Sequence, residues 1–551
     1  MQRRVTQIIE ADGSVSKAFY NQTARPDAAS NLPGNTIRTS DAWGRERWGR
    51  YDQQGRLAEV VEPNPNGNGT VLAAGSLVTK YTQDTIGRLI KTEQGASIRE
   101  FKYDSLGRLI RQKLAEQTAT LNDAGTYVGA GQYGAQWSEA FFYDTRSNLT
   151  QKTDARGVRT NYSYQMGGAD DPLNRLQARS YDLSGPLAPN VLSAPPVYYQ
   201  YMTTGDKTRI SRISTISLLT EDFSYNVEGR VSEYNQIIDG RTSYPMTTSY
   251  LYDTLDRVTE VRYPAQYGIA GSPRKLITNT YDTASRLTSL KIDSQEVAGN
   301  IVYNAADQTT SIKIGAAGAN QITENYTFDQ QTGLLTNQKV QKSGQTLLDL
   351  SYDYNRNNSI GTLNGKTGHL TKIIDNLNNN KNREYEFDAL GRLTKAKGGV
   401  GGNLWTQNYS YDRFGNRTNV TATGVAADNS PIPRDGIPNL TYNSTNNRIT
   451  TAGFEYDAAG NQTRALSEDG VTWLRYDYDA ANRLQVVKRD DGTYLQAFQF
   501  GSTNARLMSH NYETNLVTMF ASVGGTVLAE YTQFTLYVLT WTKSYTYLGE
   551  S

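Results

Sequence analysis

The word Tyr-Asp-x-x-Gly-Arg-Leu stands at Tyr51, Asp52, Gly55, Arg56 and Leu57, again at Tyr103, Asp104, Gly107, Arg108 and Leu109, and with Phe for Tyr at Phe387, Asp388, Gly391, Arg392 and Leu393. Lightly altered copies run at 225–231, 252–258, 281–287 and 478–484, and weaker ones at 84–89, 143–149, 303–309, 328–334, 411–418, 442–449 and 456–463. Spacing is tight where insertions are absent: 22 residues from Tyr281 to Tyr303, 25 to Phe328, 24 to Tyr352, and 22 again from Tyr456 to Tyr478. Such a recurrence means one supersecondary unit stacked many times, so fold and role must be read from the unit and not from a single site.

Each copy reads as a β-hairpin. In Arg-Glu-Tyr-Glu-Phe (383–387) rings alternate with charges, the two-residue period of a strand with one buried face. Asp388 offers a side-chain acceptor to open a turn, Gly391 can take the positive φ of a type I turn with a G1 bulge, and Leu393 resumes the strand. Arg392 lies beside the turn, placed to pair with Asp388 or stack on a ring; an exposed pair of that kind contributes only about 0–1 kcal/mol, so the tyrosines are expected to matter more. Where glycine is replaced, Asn148, Asn482, Asp256 and Ser285 are the expected left-handed residues. The expected architecture is all-β: repeated antiparallel hairpins in one continuous unit, with leading strands over 1–50, the repeat body over 51–500 and C-terminal strands over 501–551.

Composition excludes several functions. With 38 Tyr against 13 Phe and 6 Trp and a mean hydropathy of −0.62, the surface is polar over a core of rings that keep a hydroxyl. The 56 Lys and Arg balance 55 Asp and Glu, without the basic excess of a nucleic-acid binder. There is no cysteine, hence no disulfide and no thiolate chemistry. No run reaches the roughly 18 apolar residues of a membrane helix, and no signal peptide is visible at the start. His369 and His510 are far apart, and neither accompanies a Gly-x-Ser-x-Gly elbow, so both read as ordinary residues. Asp170 with Asp171, and Glu468 with Asp469, lack calcium-loop spacing and read as solvated turns. Loops at 62–70, 166–170, 183–190 and 424–438 are rich in Gly, Pro, Asn and Asp and should leave the sheet. The stretch 516–548 is the most strand-prone, with Gly524-Gly525 as a hairpin turn; a strand signal so close to Ser551 suggests that the natural polypeptide continues.

The repeat, with Tyr-Asp-Ala-Ala-Gly-Asn at 456–461 and Gly-Gly-Thr-Val-Leu-Ala-Glu-Tyr at 524–531, resembles the YD-repeat or rearrangement-hotspot (Rhs) family over 51–548. The resemblance implies a long β-sheet spiralling into a hollow shell, which encloses a C-terminal toxin in bacterial Rhs proteins and toxin complexes, while teneurins use a related barrel in cell adhesion. It implies no cofactor and no catalytic residue. One departure matters: the family's self-cleaving segment carries Asp-Pro-x-Gly, whereas the single Asp-Pro here, Asp171-Pro172, is followed by Leu-Asn, so no autoprotease is assigned and no toxin is read in this chain.

Three roles follow. The first is an encapsulating shell for a toxin or effector cargo, secreted or at the cell surface. The second is an adhesion module whose exposed Tyr and Arg rows bind cell-surface glycans. The third is an enzyme with Asp170 and Asp171 as paired carboxylates, disfavoured because neighbours on a strand face opposite ways. A purely structural spacer fits the sequence as well as the first two.

Overall fold

The computed structural model describes residues 4–547 except 12, 21–34, 72–73, 187, 189, 217, 239–244, 267–270, 355–368, 427–438 and 536–537. Among them regular structure is antiparallel β, apart from two single 3-10 turns, Asn379–Lys381 and Val400–Gly402, and one parallel bridge. Each repeat is a hairpin that closes on its own backbone. In the copy joining Met246–Tyr252 to Val258–Ala265, the Asp253 amide donates to the Arg257 carbonyl at 3.0 Å and the Asp256 amide to the Asp253 carbonyl at 3.2 Å. Oδ1 of Asp253 takes the amides of Leu255 and Arg257 at 2.9 and 3.1 Å, so the turn's free donors are satisfied within five residues. The ladder slips by one between Leu251 and Tyr252, as a bulge requires.

The bulge fixes the left-handed residue. Gly55, Gly107 and Gly391 sit at φ 79°, 83° and 81°, and Asp256, Ser285 and Asn482 at 66°, 67° and 63°. In the copy at 143–149 the left-handed residue is Ser147 (φ 67°), not Asn148. Asn148 occupies the arginine's place and, like that arginine, donates to the turn aspartate, at 2.8 Å to Oδ2 of Asp144. Counting from the aspartate instead of from the residue most tolerant of positive φ gives the right assignment.

Thirty-one strands make one sheet, paired in chain order from Gln7–Ile9 to Arg417–Gly424, with the short ribbon Gln165–Met166 and Ala169–Asp170 standing off it. A second sheet of ten strands holds Glu455–Tyr456 through Val538–Ser544 and, in parallel with Tyr478 and Asp479, Val191–Leu192. The ladder thus stops after Gly424; residues 427–438 of the loop expected there lie outside the described residues, as do 549–551. Gly524 and Gly525, both at positive φ, form the tight turn before Thr526–Thr535.

Contacts distant in sequence show how the sheets are arranged. Ala389 N donates to Pro65 O, Arg413 Nη2 to Val78 O, Thr118 N to Ala458 O, Arg156 Nη1 to Asp479 O, Ser522 N to Gln236 Oε1 and Tyr531 Oη to Ala265 O. Both partners advance together, and their separations stay between 266 residues, for Ala265 and Tyr531, and 340, for Thr118 and Ala458. A hairpin-like closure would make the separation shrink steadily to zero. A near-constant separation instead means that the chain coils, its second lap running in the same direction beside its first, as accumulated strand twist allows.

The seam begins with a small group of rings, Trp43 against His369 and Phe387, and ends in a larger apolar cluster. Leu219, Ile238 and Met246 of the first lap pack with Leu507, Met519, Ala521, Ala529 and Tyr531 of the second. A further cluster joins Tyr263, Ile277, Leu290 and Ile312 to Leu528. Fully burying one such Leu contributes about 1.5–3 kcal/mol, so this end of the seam is held mainly by apolar area. The loop at 62–70, expected to leave the sheet, supplies Pro65 to the seam.

Candidate functional site

No single cleft dominates; the repeated feature is a relay that clamps each hairpin to the next. Arg257 Nε and Nη2 hold Oδ2 of Asp253 at 2.7 and 2.6 Å, while Nη1 reaches forward to the Asp282 carbonyl at 3.0 Å. Its guanidinium lies 4.8 Å from the centre of the Tyr281 ring, and Tyr281 Oη donates back to the Val258 carbonyl at 2.8 Å. Arg286, Tyr303 and Leu287 repeat the arrangement one hairpin on, and Arg392, Tyr411 and Leu393 repeat it on the second lap.

The arginine therefore pairs and stacks at once, and the ring it stacks on belongs to the following repeat. Each such ring contact is worth about 0.5–1 kcal/mol at an exposed site, so the strength of the relay lies in repetition. Its substitutes keep the connection. Gln83, at a tyrosine position, donates to the Leu57 carbonyl at 2.6 Å. Asn148, at an arginine position, reaches Asn174 Oδ1 at 2.7 Å in the next turn. The relay also crosses the gap between the two sheets: Tyr442 Oη donates to the Arg417 carbonyl at 3.3 Å, and Arg448 lies 5.3 Å from the Tyr456 ring.

The clamps set the electrostatics. The Arg56 amide and guanidinium hold the Asp52 carboxyl below the usual range, and the Arg257 guanidinium does the same at Asp253. Burial pushes the Tyr252 phenol up, so it stays protonated and able to donate. Asp154 is the exception: burial pushes its carboxyl up despite Arg156 beside it. Arg156, 1% exposed, is held by Oδ2 of Asp154 at 2.7 Å and spends Nη1 and Nη2 on the carbonyls of Asp479 and Ala480, at 2.8 and 3.3 Å, across the seam.

The sequence-selected residues fall as follows. Asp52, Asp104 and Asp388 each cap their own turn and bind Arg56, Arg108 and Arg392 at 2.7 Å. Gly391 lies on the seam, where a Cβ would come within 2.8 Å of Arg45 Nη1 and 3.0 Å of the His369 ring, whereas one on Gly55 would meet open space. His369 completes a triangle of rings with Trp43 and Phe387, at 4.7 and 5.0 Å and tilted to both, and since a guanidinium only donates, its Nε2 accepts from Arg45 at 2.9 Å. His510 stacks on Tyr512 at 4.1 Å.

Asp171 is not a solvated turn residue. Its side chain is wholly buried, binds Arg175 at 2.7 Å, and is held down to about 2 by that guanidinium. It is the turn aspartate of a repeat, Asp171-Pro-Leu-Asn-Arg175, which the sequence reading missed because no Tyr precedes it and Asn174 replaces glycine. Asp170 stands apart on the ribbon, facing Arg146 at 3.1 Å, so the two aspartates share no site. A second missed copy, Asp41-Ala-Trp-Gly-Arg45, was legible from the Asp-x-x-Gly-Arg spacing alone; it has Ser40 in place of the Tyr and Glu46 in place of the Leu. Among the described residues no three His, Asp or Glu cluster as metal ligands, and no helix is long and apolar enough to cross a membrane.

Known proteins share this architecture. Residues 321–523 match the family model of the teneurin YD-shell. No curated protein matches the chain. Among solved structures, TcdB2-TccC3 superposes over 97% of this chain with a TM-score of 0.71 at 15% identity, and the same complex without its hypervariable C-terminal region with 0.72 at 14%. A Photorhabdus luminescens Tc holotoxin pore covers 98% with a TM-score of 0.70 at 14% identity. The chain spans 27% of the length of each of these solved chains. At such identities the likeness is one of fold: an all-β sheet spiralling as a shell. The segment 321–523 thus matches the teneurin YD-shell model, and the same hairpin repeat builds the described chain on both sides of it.

Proposed function

We propose that this chain is part of the wall of a secreted or cell-surface shell that sequesters a toxin or effector polypeptide lying C-terminal to it in the longer protein. The observation that carries this reading is the seam: a sheet whose second lap is fastened to its first forms a closed wall, which a flat or rod-like solenoid does not. The likeness to TcdB2-TccC3 and to the Tc holotoxin supports it. Enclosure requires no cofactor and no catalytic group; the buried charges serve to fasten turns. The test is limited proteolysis of a polypeptide extending beyond residue 551. The downstream domain should resist digestion under conditions that degrade the same domain expressed alone, and equal digestion would end the proposal.

A second reading, binding of glycans in adhesion, is favoured by one feature. A cavity of about 650 Å³ lies between the laps, lined by Tyr127, Tyr456, Tyr476 and Tyr478 with Arg475 and Lys488. Amphipathic rings beside ion-paired charges suit a sugar's apolar face and hydroxyl rim. A glycan array with no binder above background, or binding unchanged in Tyr476→Ala, would remove this reading.

A further inference from the structure

Two positions of the relay vary from copy to copy and touch each other: the clamp position, held by arginine in most turns, and the left-handed position of the turn that follows. Where the clamp is asparagine, the left-handed residue ahead of it is asparagine as well. Asn148 and Asn174 exchange hydrogen bonds at 2.7 and 2.8 Å, Asn416 Nδ2 donates to Asn447 Oδ1, and Asn461 Nδ2 donates to Asn482 Oδ1 at 2.5 Å. The three residues ahead sit at φ 55°, 58° and 63°. Clamp arginines meet other partners. Nη1 of Arg230 and of Arg286 reaches Oδ1 of Asp256 and Asp307 at 2.5 and 3.0 Å, and Nη1 of Arg257 reaches Oγ of Ser285 at 3.4 Å. Ahead of Arg209 stands Gly229, where a Cβ would fall 2.0 Å from the guanidinium. Arg483 precedes Asn504 and holds the Gly501 carbonyl at 3.2 Å.

Reach explains the difference. A guanidinium extends to a backbone carbonyl of the next turn, as Arg257 does to Asp282, so its link forward does not depend on the side chain it meets. A carboxamide is shorter. Asn148, Asn416 and Asn461 each give Nδ2 to the aspartate of their own turn, at 2.8, 2.8 and 2.7 Å, and the second hydrogen of that nitrogen needs an acceptor brought towards it from the next turn. Asparagine brings one and tolerates the left-handed region; glycine brings none.

We infer that these two positions form a one-sided pairing code between successive hairpins: a clamp asparagine requires asparagine at the left-handed position of the next turn, whereas a clamp arginine does not. The pair aligns one turn on the next, so the unit that can be exchanged between copies runs from a clamp residue to the left-handed residue ahead of it, across the boundary between two repeats.

Two double-mutant cycles on the full chain, read by hydrogen exchange and mass spectrometry, test this. Asn482→Gly should speed exchange over 457–483 in the wild-type chain, although it relieves a left-handed asparagine, and should slow it in the Asn461→Arg background. The two effects should differ by about ten-fold, the size of a direct side-chain coupling. Asn504→Gly, one turn further on, should show no such dependence on Asn461→Arg. The second cycle builds the pair where it is absent: Arg257→Asn should speed exchange over 253–286, and Ser285→Asn should slow it again in that background by about ten-fold relative to its effect in the wild-type chain. If circular dichroism shows Asn461→Arg unfolded, the second cycle decides alone. Effects that multiply independently in either cycle, or an Asn504→Gly effect that changes with Asn461→Arg as much as that of Asn482→Gly, would overturn the inference.

Discussion

Arg156→Met tests whether the coil is locked by the seam or merely laid beside itself. The side chain is 1% exposed and carries the Asp154 ion pair together with two hydrogen bonds to the facing turn, so methionine preserves volume but leaves a buried carboxylate without its cation. Breaking a buried pair from one side costs about 3–5 kcal/mol. The loss should fall on the seam, because a repeat sheet opens regionally and a single global unfolding free energy is poorly defined for it. Hydrogen exchange read by mass spectrometry over 473–492 should therefore speed up by about a hundred-fold or more, the equivalent of about 3 kcal/mol, with little change over 252–286. The effect should also depend on pH. Burial already raises the Asp154 pKa above its ordinary 3.8, and losing Arg156 removes the group that opposes this. The variant's penalty is then complete above the raised folded pKa, fades as pH falls through it, and is gone well below 3.8, where the carboxyl is neutral in both states. Adding Asp154→Asn should remove the pH dependence. Less than a ten-fold change over 473–492, or an equal change at both segments, would refute the reasoning.

Other expectations concern single turns. Gly55→Ala should destabilise its hairpin by about 1–2 kcal/mol through φ alone, and Gly391→Ala by more, because the added Cβ also meets Arg45 and His369; equal losses in thermal melts would contradict this seam geometry. Ser285→Gly should stabilise by up to about 1 kcal/mol by relieving a left-handed serine, read as a rise in melting temperature. Tyr531→Phe leaves the Ala265 carbonyl without its donor and should cost about 1–3 kcal/mol, visible as faster exchange in 526–535. Asp171, held at about 2, contributes stability that is complete above its unfolded value of 3.8 and is lost as pH falls through about 2; an acid titration of Asp171→Asn should lack that step.

The hairpin was legible in the sequence because its bonds close within a few residues. Asp253 caps amides two and four positions on, and the residue before Arg257 must sit at positive φ, so Asp-x-x-Gly-Arg is both a pattern and a mechanism. Where the reading slipped, it looked for a residue type in place of an offset. Asn148 was placed on the bulge that Ser147 occupies, and Asp171 was taken for surface because no tyrosine announced its repeat. The next level is only partly local. Tyr281 and Arg257 find their partners 23 and 25 residues away, so the sequence offers the side chains while the register of neighbouring hairpins decides which ring meets which guanidinium. Tertiary structure alone decides the seam. Nothing near Arg156 in sequence names Asp479, 323 residues later, since that meeting depends on how far strand twist has turned the sheet after a full lap. Local chemistry sets the unit, and accumulated geometry sets where the wall meets itself.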